Sequence, residues 1–137
     1  MRFFFYGTLM DSDVRAVVLR PAAARLVSAP AVLTCFRRVH APGQSWPVLI
    51  HCAGARVDGV IVDVDLPSAR RLVRYEGPAY RLVRCFVHTV AGAAFRAVVF
   101  LPRTPPAGGR TWRHATWLRR DKRPFLARLA SLRNDSG

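Results

Sequence analysis

The chain has 137 residues, a length typical of one domain, and 51% of them are hydrophobic, which excludes wholesale disorder. It carries 22 basic residues against 8 acidic ones, a net charge of +14, and every basic residue except Lys122 is an arginine. A field of this sign attracts acidic small molecules, nucleic acid or anionic lipid. The arginines are scattered and no recognition motif accompanies them, which argues against nucleic acid as the main partner.

Three cysteines and a short apolar N-terminus bear on the cellular compartment. Cys35, Cys52 and Cys85 do not pair evenly and show no CxxC spacing, so we expect no metal site. They lie in or beside apolar, strand-like runs, which predicts buried thiols in a reducing cytoplasm. The apolar segment from Met1 to Met10 is too short for a signal sequence or a membrane span. We therefore expect a soluble, cytoplasmic protein with no membrane partner.

The first part of the chain alternates apolar runs with turn residues. An apolar run over residues 2–6 ends in Gly7, which is typical of a buried strand followed by a turn. Three further elements are predicted in chain order: a short helix capped by Asp11 or Ser12 and ending near Pro21, one long or broken strand over residues 26–39, and an exposed loop over residues 40–45.

The middle of the chain predicts two hairpins, each with an Ala-Gly pair at its turn. The elements are strands 48–52 and 57–65 around the turn 53–56, a short helix over residues 69–75 opened by Pro67 and Ser68, and strands 81–89 and 93–101 around Ala91-Gly92. Antiparallel pairs therefore dominate, with about six or seven strands and two or three helices in all. This pattern predicts an α+β domain built on a small, mixed, mostly antiparallel β-barrel.

The last part of the chain, residues 104–137, is a basic extension that follows a surface loop at residues 102–109. A helix is predicted to begin at Pro124, which suits the first helical position. We expect this helix to pack on the barrel of residues 1–103 within the same domain; the alternative is a helix for a membrane surface or a partner. The apolar residues are predicted on one face of the helix and the arginines on the other: Phe125, Leu126, Leu129 and Leu132 against Arg123 and Arg128.

Glu76 is the only glutamate of the chain and lies between Tyr75 and Gly77. Burial against an aromatic side chain disfavours the charged form of a carboxyl group and raises its pKa. A carboxyl group of that kind suits general acid–base work near neutral pH. Glu76 is therefore a candidate catalytic residue, and the alternative is a surface carboxylate at the end of a helix.

Four separate segments form a pattern that is more specific than any one of them. They are Phe-Phe-Phe-Tyr-Gly-Thr-Leu-Met at residues 3–10, Trp-Pro-Val at 46–48, Val-Asp-Gly-Val at 57–60, and Arg-Leu-Val-Arg-Tyr-Glu-Gly at 71–77 followed by Tyr80 and Arg81. In order and spacing these segments resemble the gamma-glutamylcyclotransferase-like (AIG2-like) family, over roughly three quarters of the chain. Two positions depart from the family pattern: Val73 stands where an aspartate is usual, and Trp46 where a tyrosine is.

This resemblance implies a barrel of six or seven strands and a cyclisation reaction. In that reaction the α-amine of a γ-glutamyl group attacks its own γ-carbonyl, which gives 5-oxoproline and releases an amine or amino acid. The resemblance implies a small γ-glutamyl substrate, no cofactor and no metal. It implies one catalytic residue, Glu76, and a substrate-binding set made of Tyr6, Gly7, Thr8, Leu9 and Tyr80.

The chemistry places physical demands on these residues. One carboxyl group can take a proton from the α-ammonium and return one to the leaving amine. Backbone N–H groups of the turn at Gly7 can bind the oxyanion that forms on the γ-carbonyl. Arg74 and Arg81 would lower the pKa of Glu76 if they pointed at it, so we expect them to face solvent or substrate. We also expect at least one of the loops 40–46 and 102–109 to border the cavity of Glu76.

Two other functions stay open on the sequence alone. The excess of arginine and the valine at position 73 are compatible with a non-catalytic module that binds a small ligand on the same fold. A basic nucleic-acid-binding protein is the second alternative. Neither the oligomeric state nor the particular γ-glutamyl compound is defined by the sequence.

Overall fold

The computed structural model describes residues 1–136, with side chains through residue 132; Gly137, the last residue of the predicted extension, lies outside the described residues. Within these residues the strands are β1 (Arg2–Phe5), β2 (Ser28–His40), β3 (Pro47–Asp63), β4 (Tyr80–Thr89) and β5 (Ala94–Pro102). The α-helices are α1 (Ser12–Val18), α2 (Leu66–Glu76), α3 (His114–Arg120) and α4 (Lys122–Ser136), and 3₁₀ turns lie at Thr8–Met10 and Ala22–Arg25.

The strands form a closed barrel in the order β1-β3-β2-β4-β5. β1 pairs antiparallel with β3 and parallel with β5, where Phe3 lies opposite Val98, and the remaining strand pairs are antiparallel. The predicted α+β class with a mixed, mostly antiparallel barrel is therefore confirmed. The predicted count of six or seven strands was too high, because the described part of the chain contains five.

The strand count is lower because β3 includes residues 53–56, where the sequence predicts a turn between two strands. Thr34 of β2 lies opposite Arg56, and Phe36 lies opposite His51, so the register shifts between these pairs. Gly54 adopts a φ of 79° at this point, a conformation that glycine reaches without strain. An Ala-Gly pair is therefore compatible with a bulge as well as with a turn. A bulge forms here because β2 pairs with β3 on both sides of it. The hairpin turn between β2 and β3 lies instead in the loop after His40.

The second predicted hairpin and the first predicted helix are confirmed. β4 and β5 pair along their lengths, and the N–H group of Gly92 donates to the carbonyl of Thr89 at their turn. The Asp11 carboxylate caps α1 by accepting hydrogen bonds from the N–H groups of Asp13 and Val14.

The helix α2 carries Glu76 as its last residue. The Asp65 carboxylate caps the N-terminus, and Gly77, with a φ of 81°, follows the last turn. Ala69 and Leu72 are buried on the core face of α2. Glu76 lies seven and four residues after them, so the helical period directs it to the same side. The end of α2 therefore brings the carboxyl group toward the interior.

The two larger of the three parts of the core lie inside the barrel and beneath the helices. The inner part is built from side chains of all the described strands, and the outer part combines β1 with residues of α1, α2 and α3. Because successive side chains of a strand point to opposite faces, β1 is buried on both sides. Phe4 and Tyr6 belong to the inner part, and Phe3 and Phe5 belong to the outer part.

The C-terminal segment packs on the outer core and contains a helix in addition to the predicted one. α3 was not predicted from the sequence; it buries Trp117, whose ring meets Phe125 of α4 edge-on at a centroid distance of 5.6 Å. At the start of α4, Lys122 forms ion pairs of 2.8 Å with Asp11 and Asp13.

The division of the chain at residue 103 into a barrel and a C-terminal extension stays a prediction. No helix among the described residues combines the length and the apolarity that a membrane span requires.

The three cysteines do not share the buried environment that the sequence predicts. Cys35 is exposed, and Cys52 and Cys85 are partly buried; all three are free thiols. Cys35 lies at the register shift of β2, with a φ of 66°. The alternation of a regular strand does not hold across this irregularity, so the apolar character of the run did not predict the burial of the thiol.

Gly59 of β3 allows the close approach of β1. A Cβ atom at this position would collide with the Phe5 carbonyl oxygen and with the ring of Phe4. We expect Gly59→Ala to lower the free energy of unfolding by about 1–3 kcal/mol, because β1 cannot retreat without opening the barrel. Urea denaturation measures the change. Gly108→Ala is the control, since a Cβ there meets nothing within 4 Å; equal losses in the two variants would contradict the prediction.

Candidate active site

A cavity of about 680 Å³ opens where the end of β1 meets the end of α2. Its walls come from β1 and the turn after it, the loop between β2 and β3, the connection from α2 to β4, and α4. Most of the lining is apolar or aromatic. The hydroxyl, amide and charged side chains that line it are Tyr6, Thr8, Gln44, Tyr75, Glu76, Tyr80 and Arg128.

The 3₁₀ turn after β1 forms one wall. Its first hydrogen bond runs from the N–H group of Met10 to the Gly7 carbonyl at 3.0 Å, so the N–H groups of Gly7, Thr8 and Leu9 are not used by the turn itself. A Cβ on Gly7 would lie 3.0 Å from Cγ of Pro47, which makes glycine the residue that fits here. The Leu9 side chain is buried in the outer core, so its polar contribution to the cavity is its backbone.

Arg38 holds this turn in place, although nothing in the sequence distinguishes it from the other arginines. Its Nη1 atom donates to the carbonyl oxygens of Tyr6 and Asp58, each at 2.9 Å. Its guanidinium group lies over the ring of Trp112, 5.1 Å from the centroid. These contacts link the residue before Gly7 to β3 and to the C-terminal segment, and they fix the position of the turn.

Glu76 presents its carboxyl group to the cavity from the end of α2. Although part of the residue reaches the cavity surface, burial raises the pKa of its carboxyl group from the ordinary value of 4.5 to about 7. None of the hydrogen bonds or ion pairs among the described side chains involves this carboxyl group. Arg74 and Arg81 are exposed, as expected. The side chain at Val73, where the family pattern differs, is 43% exposed.

In addition to burial, the negative charge of Glu76 contributes to raising the pKa values of three nearby tyrosines, Tyr6, Tyr75 and Tyr80. The Tyr75 hydroxyl shares a hydrogen bond of 3.0 Å with the Thr8 hydroxyl, and burial raises the pKa of Tyr75 well above its usual value. Burial, followed by the charge of Glu76, raises the pKa of Tyr80 to about 12 against the opposing effect of a hydrogen bond with Trp46. All these phenols therefore stay protonated near neutral pH.

The structure brings all the predicted site residues to one cavity. Gly7, Thr8 and Leu9 line it from one wall, and Glu76 and Tyr80 line it from another. The third tyrosine, Tyr6, also lines it, but its hydroxyl donates a 2.6 Å hydrogen bond to the buried carbonyl of Phe100. Burial raises the pKa of Tyr6 well above its usual value, and the charge of Glu76 adds to this. The catalytic and substrate-binding roles of the six residues stay predictions.

The loop expectation is confirmed for one of the two loops, because Gln44 and Trp46 line the cavity. The loop at residues 102–109 contributes none of the described lining residues. The prediction for Arg128 was wrong: it lines the cavity together with the apolar side of α4. The helical period could have predicted this position, because Arg128 lies three residues after Phe125 and four before Leu132 and therefore on the same face of the helix.

Comparison with known proteins identifies the family. The family model described as gamma-glutamyl cyclotransferase, AIG2-like, matches residues 3–119. The chain belongs to this family. The matched segment contains the turn at Gly7, the Glu76 helix end and Tyr80, and it ends before α4 begins at Lys122. A comparison with curated protein sequences finds no significant match.

Solved structures of low sequence identity share the fold of this AIG2-like protein. The solution structure of At5g39720.1 from Arabidopsis thaliana has a TM-score of 0.69 at 20% identity and covers 98% of this chain and 91% of that one. An AIG2-like protein from Mus musculus has a TM-score of 0.61 at 22% identity, over 77% and 79% of the two chains. A structure described as a gamma-glutamyl cyclotransferase has a TM-score of 0.66 at 16% identity, over 76% and 67%.

No group of three or more histidine, cysteine, aspartate or glutamate side chains that could hold a metal ion lies together among the described residues of this AIG2-like protein. The polar groups of the cavity lining are one carboxyl group, one amide, phenol and threonine hydroxyls, backbone N–H groups and one guanidinium. Such a set can transfer protons and bind oxyanions and carboxylates.

The burial of Glu76 makes its ionised form costly to the folded state. With a pKa of about 7 in the folded protein against an ordinary 4.5, the native state binds more protons between these values, and stability falls as pH rises through them. We expect Glu76→Gln to raise the free energy of unfolding at pH 8 by up to about 3 kcal/mol and to give no gain at pH 4. Urea denaturation at both pH values tests this. Asp58→Asn, at an exposed carboxylate, is the control, and a gain of the same size at both pH values in Glu76→Gln would contradict the prediction.

Proposed function

We propose that this protein is a gamma-glutamylcyclotransferase-like enzyme that converts a small γ-glutamyl compound to 5-oxoproline and releases an amine or amino acid. The observation that carries the proposal is the Glu76 carboxyl group, whose burial raises its pKa to about 7 in a cavity that the turn at Gly7 also lines. A carboxyl group with this pKa exists in both protonation states near neutrality, so it can accept and donate protons in turn. Membership of the family supports the same reaction.

The proton balance of the reaction shows which proton transfers the enzyme must catalyse. The α-ammonium of the substrate loses two protons in becoming the N–H group of the lactam, and the leaving nitrogen gains two in becoming an ammonium group. We assign both transfers to Glu76, one at a time. The nitrogen lone pair forms the new bond to the γ-carbonyl carbon, and the bond from that carbon to the leaving nitrogen then breaks.

The turn after β1 supplies the complementary group. As the amine attacks, negative charge develops on the γ-carbonyl oxygen, and the N–H groups of Gly7, Thr8 and Leu9 are free of bonds within the turn. We assign them to that oxygen. Because the nucleophile and the carbonyl belong to one molecule, the cavity contributes mainly by holding the substrate in its folded conformation. Most of the lining is apolar or aromatic, and a lower local dielectric strengthens each of these electrostatic contacts.

Replacement of the proposed base tests the assignment. We expect Glu76→Gln to lower kcat for 5-oxoproline release from γ-glutamyl amino acids by at least about 100-fold, because the amide cannot accept the proton. Chromatographic detection of 5-oxoproline measures the rate. Asp121→Asn, at a carboxylate outside the cavity lining with no ion pair among the described residues, is the matched control and should retain the native rate. Turnover by Glu76→Gln at the native rate, or no turnover by the native protein on a broad γ-glutamyl panel, would refute the proposal and leave a non-catalytic binding module.

The pH profile gives a second, independent test. The enzyme is active when Glu76 is ionised, so kcat/KM should rise about tenfold per pH unit at low pH and level off above an apparent pKa of about 7. Initial rates between about pH 5 and 9 measure this limb. A profile that is already close to level across this range, as the ordinary pKa of 4.5 would give, would contradict the desolvated base.

A further inference from the structure

The helix α4 lies over the cavity, outside the segment that matches the family. The match ends at residue 119, and α4 begins at Lys122. The side chains of α4 that line the cavity are Phe125, Arg128, Leu129 and Leu132. They are spaced three, one and three residues apart, so they form a single stripe along the helix. This stripe adds an apolar surface with one guanidinium to a cavity whose other walls contain the proposed catalytic groups.

Arg128 is the one cationic side chain among the described lining residues, as Glu76 is the one anionic side chain. It makes no ion pair with any described carboxylate. Arg128 is exposed, and an exposed guanidinium group beside an apolar cavity is suited to bind a carboxylate of an entering ligand. A γ-glutamyl amino acid carries two carboxylates, one on the glutamyl carbon that bears the reacting amine and one on the amino acid that is released.

The electrostatics of the cavity distinguish between these two carboxylates. An opposite charge within about 4–6 Å of a carboxyl group lowers its pKa. Burial is the sole cause of the raised pKa of Glu76, and no arginine opposes it. Arg128 also forms no ion pair with Glu76 among the described side chains, although both line the cavity, so the two charged groups are separate sites for a ligand. The glutamyl carboxylate shares its carbon with the reacting amine and must lie close to Glu76, whereas the carboxylate of the released amino acid lies at the far end of the substrate.

We propose that Arg128 binds the carboxylate of the amino acid to be released, and that Phe125, Leu129 and Leu132 contact the side chain of that amino acid. The preferred substrates are then γ-glutamyl conjugates of apolar amino acids. This inference rests on the proposed cyclotransferase function and adds the substrate class and the residue that selects it. Arg128 acts in substrate recognition, so its replacement should change KM and the preference between substrates more than kcat.

Three conjugates and the full-length chain test the proposal: γ-glutamyl-leucine, γ-glutamyl-leucinamide, which lacks the second carboxylate, and γ-glutamyl-glycine, which lacks the apolar side chain. We expect the native protein to prefer the leucine conjugate over its amide by about tenfold in kcat/KM, the lower end for a hydrogen bond to a charged group. Arg128→Gln should bring this ratio close to one, mainly through KM, and Arg128→Lys should restore part of it. Arg123→Gln, at an exposed arginine of α4 outside the cavity lining, should keep the native ratio.

The apolar part of the proposal has its own comparison. Partial burial of a leucine side chain should favour the leucine conjugate over the glycine conjugate by about tenfold in kcat/KM. Leu129→Ala should reduce this ratio without changing the preference for the acid over the amide.

The outcomes distinguish a failure of the Arg128 assignment from a failure of the proposed cyclotransferase function. If the native protein does not distinguish acid from amide, or if Arg128→Gln slows both by the same factor, the assignment of Arg128 is overturned while the cyclotransferase function stands. Equal rates on the leucine and glycine conjugates overturn the apolar part. If no conjugate releases 5-oxoproline, the proposed function fails and the substrate assignment fails with it.

Discussion

Both the barrel and the site depend on the short strand β1. It pairs with β3 on one side and with β5 on the other, and its side chains are buried on both faces. A strand held in this way has no freedom of register, because a slip by one residue would exchange its inner and outer phenylalanines. The turn that starts at Gly7 is therefore held at one place at the edge of the barrel. Pro47 packs against it and Arg38 bonds the carbonyl before it, so three elements fix the backbone N–H groups.

Although the net charge of the chain is +14, the carboxyl group of Glu76 has no ion pair among the described residues. The geometry of α2 explains why. Leu72 and Glu76 are four residues apart and share the inner face, whereas Arg74 lies halfway between them and points outward. The C-terminal helix then covers the cavity and is held there by Trp117 and by the ion pairs of Lys122. Local helix geometry and a distant segment together produce the desolvation that raises the pKa of Glu76.

Much of the local structure could be predicted from the sequence, because short-range chemistry determines it. Capping by Asp11, the start of α2 near Pro67 and the β4–β5 turn at Gly92 each depend on a few adjacent residues. The sequence also indicates the candidate site residues, since Glu76 is the one glutamate and the segments around it and around Gly7 carry the family pattern. Their meeting in one cavity follows from the family pattern and could not be derived from either segment alone.

The tertiary structure decided the features that depend on distant partners. The Ala-Gly pair at residues 53–54 is locally compatible with a turn or a bulge, and pairing with the full length of β2 selected the bulge and reduced the strand count. Arg38 and Arg128 could not be told from the other arginines by sequence, because their roles depend on which backbone carbonyls and which cavity they reach after folding. The sequence by itself determined most of the elements, the fold class and the identity of the candidate carboxyl group. Its pKa was decided by tertiary packing, since desolvation is a property of everything that surrounds a group.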